Sequence, residues 1–201
     1  DNTLVVFTSD HGETFGAHAA QCHKGNPMDV SVRIPLLMRM PNVLPIGEVR
    51  QLLFGMLDMP PTLLGLLGCP VPSNWQGRNL SEAILNCQDD AVENLPLFNF
   101  RPSWRGVYTH RYTFAIENIE RTPDLHTRMG SDLLDQRKWT PNFNVFYDRL
   151  EDPLQINNLS NSTEHIEMAW ELTQCIHDWC RTFGDPFLSY ERLINSVGDR
   201  A

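Results

Sequence analysis

Apolar and polar positions alternate in two different ways along the chain. Thr3 to Thr8 is a short, nearly unbroken run of apolar and β-branched residues, the pattern of a strand buried on both faces, as in a parallel sheet. The run stops at Ser9-Asp10-His11-Gly12. Ala17 to Ala20 is small and fits a loop or a short helix, and Asn26 to Arg33 predicts a short helix or turn. Leu36 to Met40 reads as a second strand stopped by Pro41, and Asn42 to Gly47 as a proline-bearing loop. The segment Asp58-Met59-Pro60-Pro61, followed by Thr62 to Gly68, predicts a helix with proline in its first turn and glycine just past its end. Asp58 is expected to be its N-terminal cap.

Ser81 to Cys87 fits a short helix, and the polar, acidic Gln88 to Asn94 reads as an exposed linker. Beyond it the pattern changes. Leu95 to Phe100, Gly106 to Thr109, Tyr112 to Glu117 and Asn144 to Leu150 carry the aromatic and β-branched residues of strands, with His110-Arg111 as a tight link. Asn118 to Asn142 is charged, irregular and long, the mark of a functional or disordered loop. Thr163 to Phe183 predicts a long helix, capped by Asn161 with Glu164 and ended by Gly184-Asp185-Pro186. Ile166, Trp170, Thr173, His177 and Cys180 define its expected packing face, with His177 a core or boundary histidine. The fold class is therefore α/β. The end of a mostly parallel sheet with flanking helices (residues 1–88) is followed by a small antiparallel sheet plus one long helix (residues 89–201).

With 201 residues the chain can bury a sizeable core. A parallel sheet needs neighbours for its first strand, and the chain offers few, so it is read as the C-terminal part of a longer protein. Its net charge of -9 argues against nucleic acid as a partner, because phosphate binding needs a basic face. No run is long and apolar enough to span a membrane. The five cysteines, Cys22, Cys69, Cys87, Cys175 and Cys180, form no C-x-x-C pair. Cys175 and Cys180 lie about 140° apart around the predicted helix, badly placed to bridge. The sequons at Asn79, Asn158 and Asn161 matter only in a eukaryotic secretory protein.

The candidate chemistry sits at the end of the first strand. In open α/β sheets ligands gather beyond the carboxyl ends of the strands. Asp10 supplies an anionic oxygen and His11 a nitrogen donor, half of a metal site. Asp-His-Gly is equally an ordinary turn sequence. Lys24, in the turn His23-Lys24-Gly25, puts a cation within reach of the same place. His18 reads as a solvated loop histidine and Cys69 as an ordinary residue.

The first stretch resembles the sulfatases of the alkaline phosphatase superfamily: a strand, then S-D-H-G, then a lysine in a K-G turn. Val32-Arg33-Ile34-Pro35-Leu36 is similar to the family's step back into the sheet. Asp58 to Gly68 resembles its D-x-x-P-T-L-L-x-L-x-G helix, and Gln76-Gly77-Arg78-Asn79-Leu80 its G-R-S-L connection. Arg105-Gly106-Val107 with Arg111-Tyr112-Thr113-Phe114 looks like the family's hairpin. Tyr147-Asp148, Asp152-Pro153 and Asn158-Leu159 match its Y-D-L-x-x-D-P-x-E-x-x-N-L segment, where Arg149 and Gln155 depart from the commoner residues. The resemblance implies an alkaline-phosphatase-like sheet and metal-dependent hydrolysis of sulfuric esters, with a formylglycine nucleophile motif upstream of this chain. It implies Asp10 and His11 as metal ligands, and Lys24 as the group contacting the sulfate or its leaving oxygen. The cofactor is a divalent cation, calcium first, with manganese and magnesium open. The substrate is a sulfate-ester small molecule or a sulfated glycan. The chain alone is expected to be inactive. Phosphonate or phosphate ester hydrolysis, or a non-catalytic binding role on the same fold, are the alternatives. The resemblance leaves periplasmic, secreted and lysosomal compartments open.

Overall fold

The computed structural model describes residues 2–20, 24–98, 104–117 and 145–185. Strand β1 (Val5–Thr8) pairs with β2 (Leu36–Arg39) in a two-stranded ladder. The short helices α1 (Ala17–Ala20) and α2 (Asp29–Val32) connect them. The pairing is antiparallel, with Thr8 opposite Leu36 and Val5 opposite Arg39. The connection leaves and re-enters at the same end of the ladder, so β2 runs back along β1. The expected burial of β1 on both faces is not met: Val5 is 53% and Phe7 64% exposed. Among the described residues only β2 pairs with this strand, and no helical layer covers those two side chains.

Helix α3 (Met59–Leu66) has its prolines in the first turn, and Gly68 follows its end at φ +69, the left-handed stop that glycine permits. Asp58 occupies the N-cap position but caps nothing through its side chain. Its carboxylate instead accepts Nε and Nη2 of Arg78 at 3.1 and 2.8 Å, and the backbone amide of Arg78 at 2.8 Å. A buried carboxylate gains more from a bidentate guanidinium than from a helix amide. Gly77 makes the approach possible, since a Cβ there would lie 1.7 Å from the Leu57 carbonyl oxygen. Helix α4 (Ser81–Leu85) packs on α3. The expected linker is not wholly exposed: Val92 is fully buried with Leu80, Ala83 and Leu95.

Strands β3 (Asn94–Phe98), β4 (Trp104–Thr109), β5 (Tyr112–Glu117) and β6 (Val145–Asp148) form an antiparallel sheet in sequence order. The two-residue side-chain period sorts this sheet into two buried faces. Val107, Phe114, Ile116 and Phe146 pack on Leu172, Ile176 and Cys180 of the long helix α5 (Ile166–Phe183). Trp104, Ala115, Val145 and Tyr147 pack on Met28, just before α2. The sheet therefore lies between α5 and the segment that carries Lys24. The Asn118–Asn142 loop, Cys22, His23 and the chain after Asp185 lie outside the described residues.

Helix α5 differs from expectation in its start and its face. A 3-10 turn, Thr163–His165, precedes it, and Ser162 bonds His165 Nδ1 at 2.8 Å, where the Asn161 and Glu164 pair was expected to cap. Its buried residues are Leu172, Thr173, Ile176 and Cys180, while Trp170 is exposed. The apolar stripe is thus rotated toward Leu172 and Ile176, which reach Phe114 and Phe146. His177 lies at the boundary, as expected, 3.5 Å from Asp178. Gly184, at φ +64, ends the helix.

Candidate functional site at the end of the first strand

The loop after β1 folds on itself. The Ser9 hydroxyl donates to the His11 carbonyl at 2.8 Å, and the His11 amide donates to Asp10 Oδ1 at 3.0 Å. Gly12 then donates its amide to the Ser31 carbonyl in α2 at 2.8 Å. A Cβ on Gly12 would lie 2.1 Å from the Val30 carbonyl oxygen, so only glycine lets the loop come this close to α2.

These bonds bring the three residues expected from the sequence together. His11 Nε2 lies 3.2 Å from Asp10 Oδ2 and 2.7 Å from Lys24 Nζ. The ammonium has only donors, so it donates to the imidazole. His11 Nδ1 lies 2.8 Å from the Gly12 carbonyl oxygen, which can only accept. In the neutral imidazole the proton therefore belongs on Nδ1, and Nε2 offers a lone pair. Asp10 is well exposed. Loss of hydration pushes its carboxyl up, but the amides of Asp10 and His11, the His11 imidazole and the Ser9 hydroxyl together outweigh it and hold the carboxyl below its usual range.

The donor set fits a divalent cation in part. An anionic oxygen and an imidazole lone pair face each other at 3.2 Å. That matches the edge between two ligands at right angles, each about 2.3 Å from one ion. Among the described residues no group of three or more His, Cys, Asp or Glu side chains forms a metal cluster. Any further ligands must come from elsewhere. His18 is half-buried, in α1 at φ +55, its ring 6.4 Å from that of Tyr147. It is not a freely solvated loop residue. Cys69 is an exposed free thiol.

The groups that hold this loop come from distant parts of the chain. Trp104 Nε1 donates to the Gly25 carbonyl at 2.9 Å. Gln155 Oε1 accepts the Asp29 amide at 2.7 Å, and the Tyr108 hydroxyl donates to Asp29 Oδ2 at 3.2 Å. The Arg149 guanidinium stacks 3.6 Å above the Tyr108 ring, with Nε 4.0 Å from Asp29 Oδ1. Burial, with the Asp29 charge beside it, pushes the Tyr108 phenol up to about 12, and burial pulls Arg149 down. The signal was present: Arg149 and Gln155 are the two departures from the family segment, and both meet at Asp29. A groove of about 1240 Å³ runs past Asp10, His11, Lys24, Asp29, Tyr108 and Arg149.

Residues 1–69 match the sulfatase family profile. The chain is 29% identical to an endo-4-O-sulfatase of Bacteroides thetaiotaomicron, over 98% of this chain and 39% of that protein. It is 26% identical to an N-acetylglucosamine-6-O-sulfatase of the same organism, over all of this chain and 34% of the relative. The crystal structure of the sulfatase yidJ from Bacteroides fragilis superposes with a TM-score of 0.76 at 26% identity, covering 94% of this chain and 38% of that one. The fold of the described residues is that of the superposed sulfatase structure. The chain is similar to sulfatases along its length, and it spans between a third and two fifths of the length of these relatives.

Proposed function

We propose that this chain supplies part of the catalytic centre of a larger hydrolase acting on sulfate monoesters, with sulfated glycans as the substrate class. The observation that carries the reading is the convergence of Asp10 Oδ2, His11 Nε2 and Lys24 Nζ where β1 ends. The names of the two Bacteroides thetaiotaomicron relatives, an endo-4-O-sulfatase and an N-acetylglucosamine-6-O-sulfatase, support a sulfated sugar.

Asp10 and His11 would hold a divalent cation through Oδ2 and Nε2, with calcium the first choice, once the Lys24 ammonium turns from the Nε2 lone pair toward the sulfate. When bound, such an ion neutralises negative charge on the sulfate oxygens. The fixed Nδ1 proton keeps the imidazole turned toward this point. Lys24 places its ammonium where charge builds on sulfate or on the departing oxygen. The nucleophile is proposed to lie in the remainder of the longer protein, so the isolated chain supplies only these groups.

The test uses full-length protein and matched sulfate and phosphate monoesters of one sugar, with and without added calcium. Calcium-dependent turnover favouring the sulfate ester is expected. Preference for the phosphate ester would replace this reading with the phosphatase alternative, and binding without turnover would replace it with the non-catalytic one.

A further inference from the structure

The sheet of the C-terminal half is built against the turn that carries Lys24, and a polar contact from Trp104 ties the two. Trp104, at the start of β4, is buried among Met28, Ala115, Val145 and Tyr147. A phenyl ring would fill part of that space equally well in chemical terms. What distinguishes indole is its single N–H donor, which needs a partner when buried. It donates to the carbonyl of Gly25, the residue after Lys24, at 2.9 Å. Gly25 sits at φ +101, a backbone conformation that glycine adopts freely and side chains disfavour.

From these contacts we propose that Trp104 is a positioning residue for Lys24; the proposal rests on Lys24 contacting the sulfate. The turn is held at successive points on its C-terminal side. Trp104 takes the Gly25 carbonyl, the buried Asn26 side chain takes the Met28 amide at 3.1 Å, Met28 enters the core beneath the indole, and Gln155 takes the Asp29 amide. The His11 loop is pinned to the other end of the same helix through Gly12 and Ser31. Helix α2 is thus a common frame: Lys24 enters it and His11 rests on its far end. The 2.7 Å separation of Lys24 Nζ and His11 Nε2 depends on both attachments. Losing the indole N–H frees the peptide after Lys24 without removing the packing, and a displacement of about 1 Å can cost up to 10²-fold in rate.

The test is a double-mutant cycle in the full-length enzyme with a sulfate ester series of graded leaving groups. Trp104→Phe is expected to lower kcat by roughly tenfold, with KM within about twofold and a larger loss for poorer leaving groups. In a Lys24→Ala background the same change is expected to cost nothing further, because the group it positions is gone. Equal losses in both backgrounds, or a change in KM alone, would show a packing role and overturn the proposal. Replacing Trp104 by benzothienylalanine keeps the bicyclic ring and omits the donor, so the cycle stands even where the smaller phenyl ring loosens the core. Full activity of the single Lys24→Ala variant would remove the Lys24 reading and this proposal with it, and that arm reports independently of Trp104.

Discussion

The Nδ1 atom of His11 lies 2.8 Å from the carbonyl oxygen of Gly12, and this contact decides what the imidazole can do. A carbonyl accepts and never donates, so Nδ1 donates to it, and in the neutral ring Nε2 carries the lone pair. Gly12 can present that carbonyl because it has no Cβ to strike Val30 and because its amide is bonded to Ser31. A backbone partner that fixes the ring and its tautomer is what a metal-binding histidine usually has.

Removing either donor should therefore act on cation affinity and not on folding. Asp10 is 81% exposed and His11 38%, so Asp10→Asn and His11→Ala should each change stability by less than ~0.5 kcal/mol. Calcium titration of the full-length protein, followed calorimetrically, should show affinity falling by roughly 10- to 100-fold or more in each, since even the loss of a supporting partner has that effect. Unchanged affinity in both would exclude them as ligands.

The identity of the ion is a separate prediction. Calcium prefers oxygen, and an imidazole is a weaker partner for it than for manganese or a transition ion. The carboxylate and the 3.2 Å donor separation still suit a hard cation, and calcium remains the first choice. Metal analysis of the full-length protein purified without chelator should return calcium. Stoichiometric zinc would reverse the ranking.

A third prediction concerns Asp58, whose sequence position suggested a helix cap and whose carboxylate binds Arg78 instead. The Asp58 side chain is only 4% exposed, and Arg78 is 35% exposed. Arg78→Ala leaves the carboxylate buried beside fewer donors, which should cost roughly 2–4 kcal/mol, toward the lower figure because water reaches the guanidinium side. Asp58→Asn keeps the acceptor oxygen and should cost less. Thermal unfolding midpoints of the two variants in the full-length protein check the order. A smaller effect for Arg78→Ala would refute the pairing.

The elements that local chemistry dictates were legible in the chain. Prolines and Gly68 bracket α3, Gly184 ends α5, and aromatic and β-branched runs mark β3 to β6. Asp10 and His11 were legible as candidates because a strand delivers them to one end of a ladder, and Lys24 because a short turn follows. Partners far away in sequence were not. The Asp58 cap gave way to Arg78, twenty residues on. The α5 stripe turned toward Leu172 and Ile176 because Phe114 and Phe146 await them. Nothing near Lys24 announces that Trp104 and Gln155 fix its turn. The burial foreseen for β1 failed for the same reason, since burial belongs to neighbours and not to the strand.

Acid should expose another of these distant pairs. Asp148, at the end of β6, accepts Arg111 Nε and Nη2 at 2.9 and 2.6 Å. The Arg111 bond, opposed by burial and aided by the Leu150 and Glu151 amides, holds its carboxyl below the usual range. A depressed folded pKa means the native state binds the proton less readily than the unfolded chain. The pair's contribution is then fully present above the ordinary aspartate value of about 3.9 and is lost as pH falls through the lower folded value. Asp148→Asn should lower the unfolding midpoint at neutral pH and flatten its decline in acid. An equally steep acid decline in the variant would show that other groups set it.

The last prediction is the effect of Lys24 on the chemical step. Lys24 is exposed, and an exposed lysine in a turn has an ordinary alternative role as a solvated charge. In that role Lys24→Ala would change neither folding nor rate. The ammonium's position, 2.7 Å from His11 Nε2, a nitrogen that also lies 3.2 Å from Asp10 Oδ2, argues for more. A charge beside the sulfate interacts more strongly as the departing oxygen becomes negative, and an interaction that grows toward the transition state appears in kcat. Lys24→Ala should lower kcat/KM of the full-length enzyme by roughly 10²-fold, the size of effect seen when one charge-stabilising donor is lost, with stability altered by less than ~0.5 kcal/mol. Lys24→Arg should recover only part of the rate, because the guanidinium spreads its charge over a planar fork and cannot place a compact donor at the same point. The decisive measurement is kcat/KM against leaving-group pKa for the three enzymes. The deficit of Lys24→Ala should widen as the leaving group becomes more basic, while a uniform deficit would assign Lys24 to substrate binding alone.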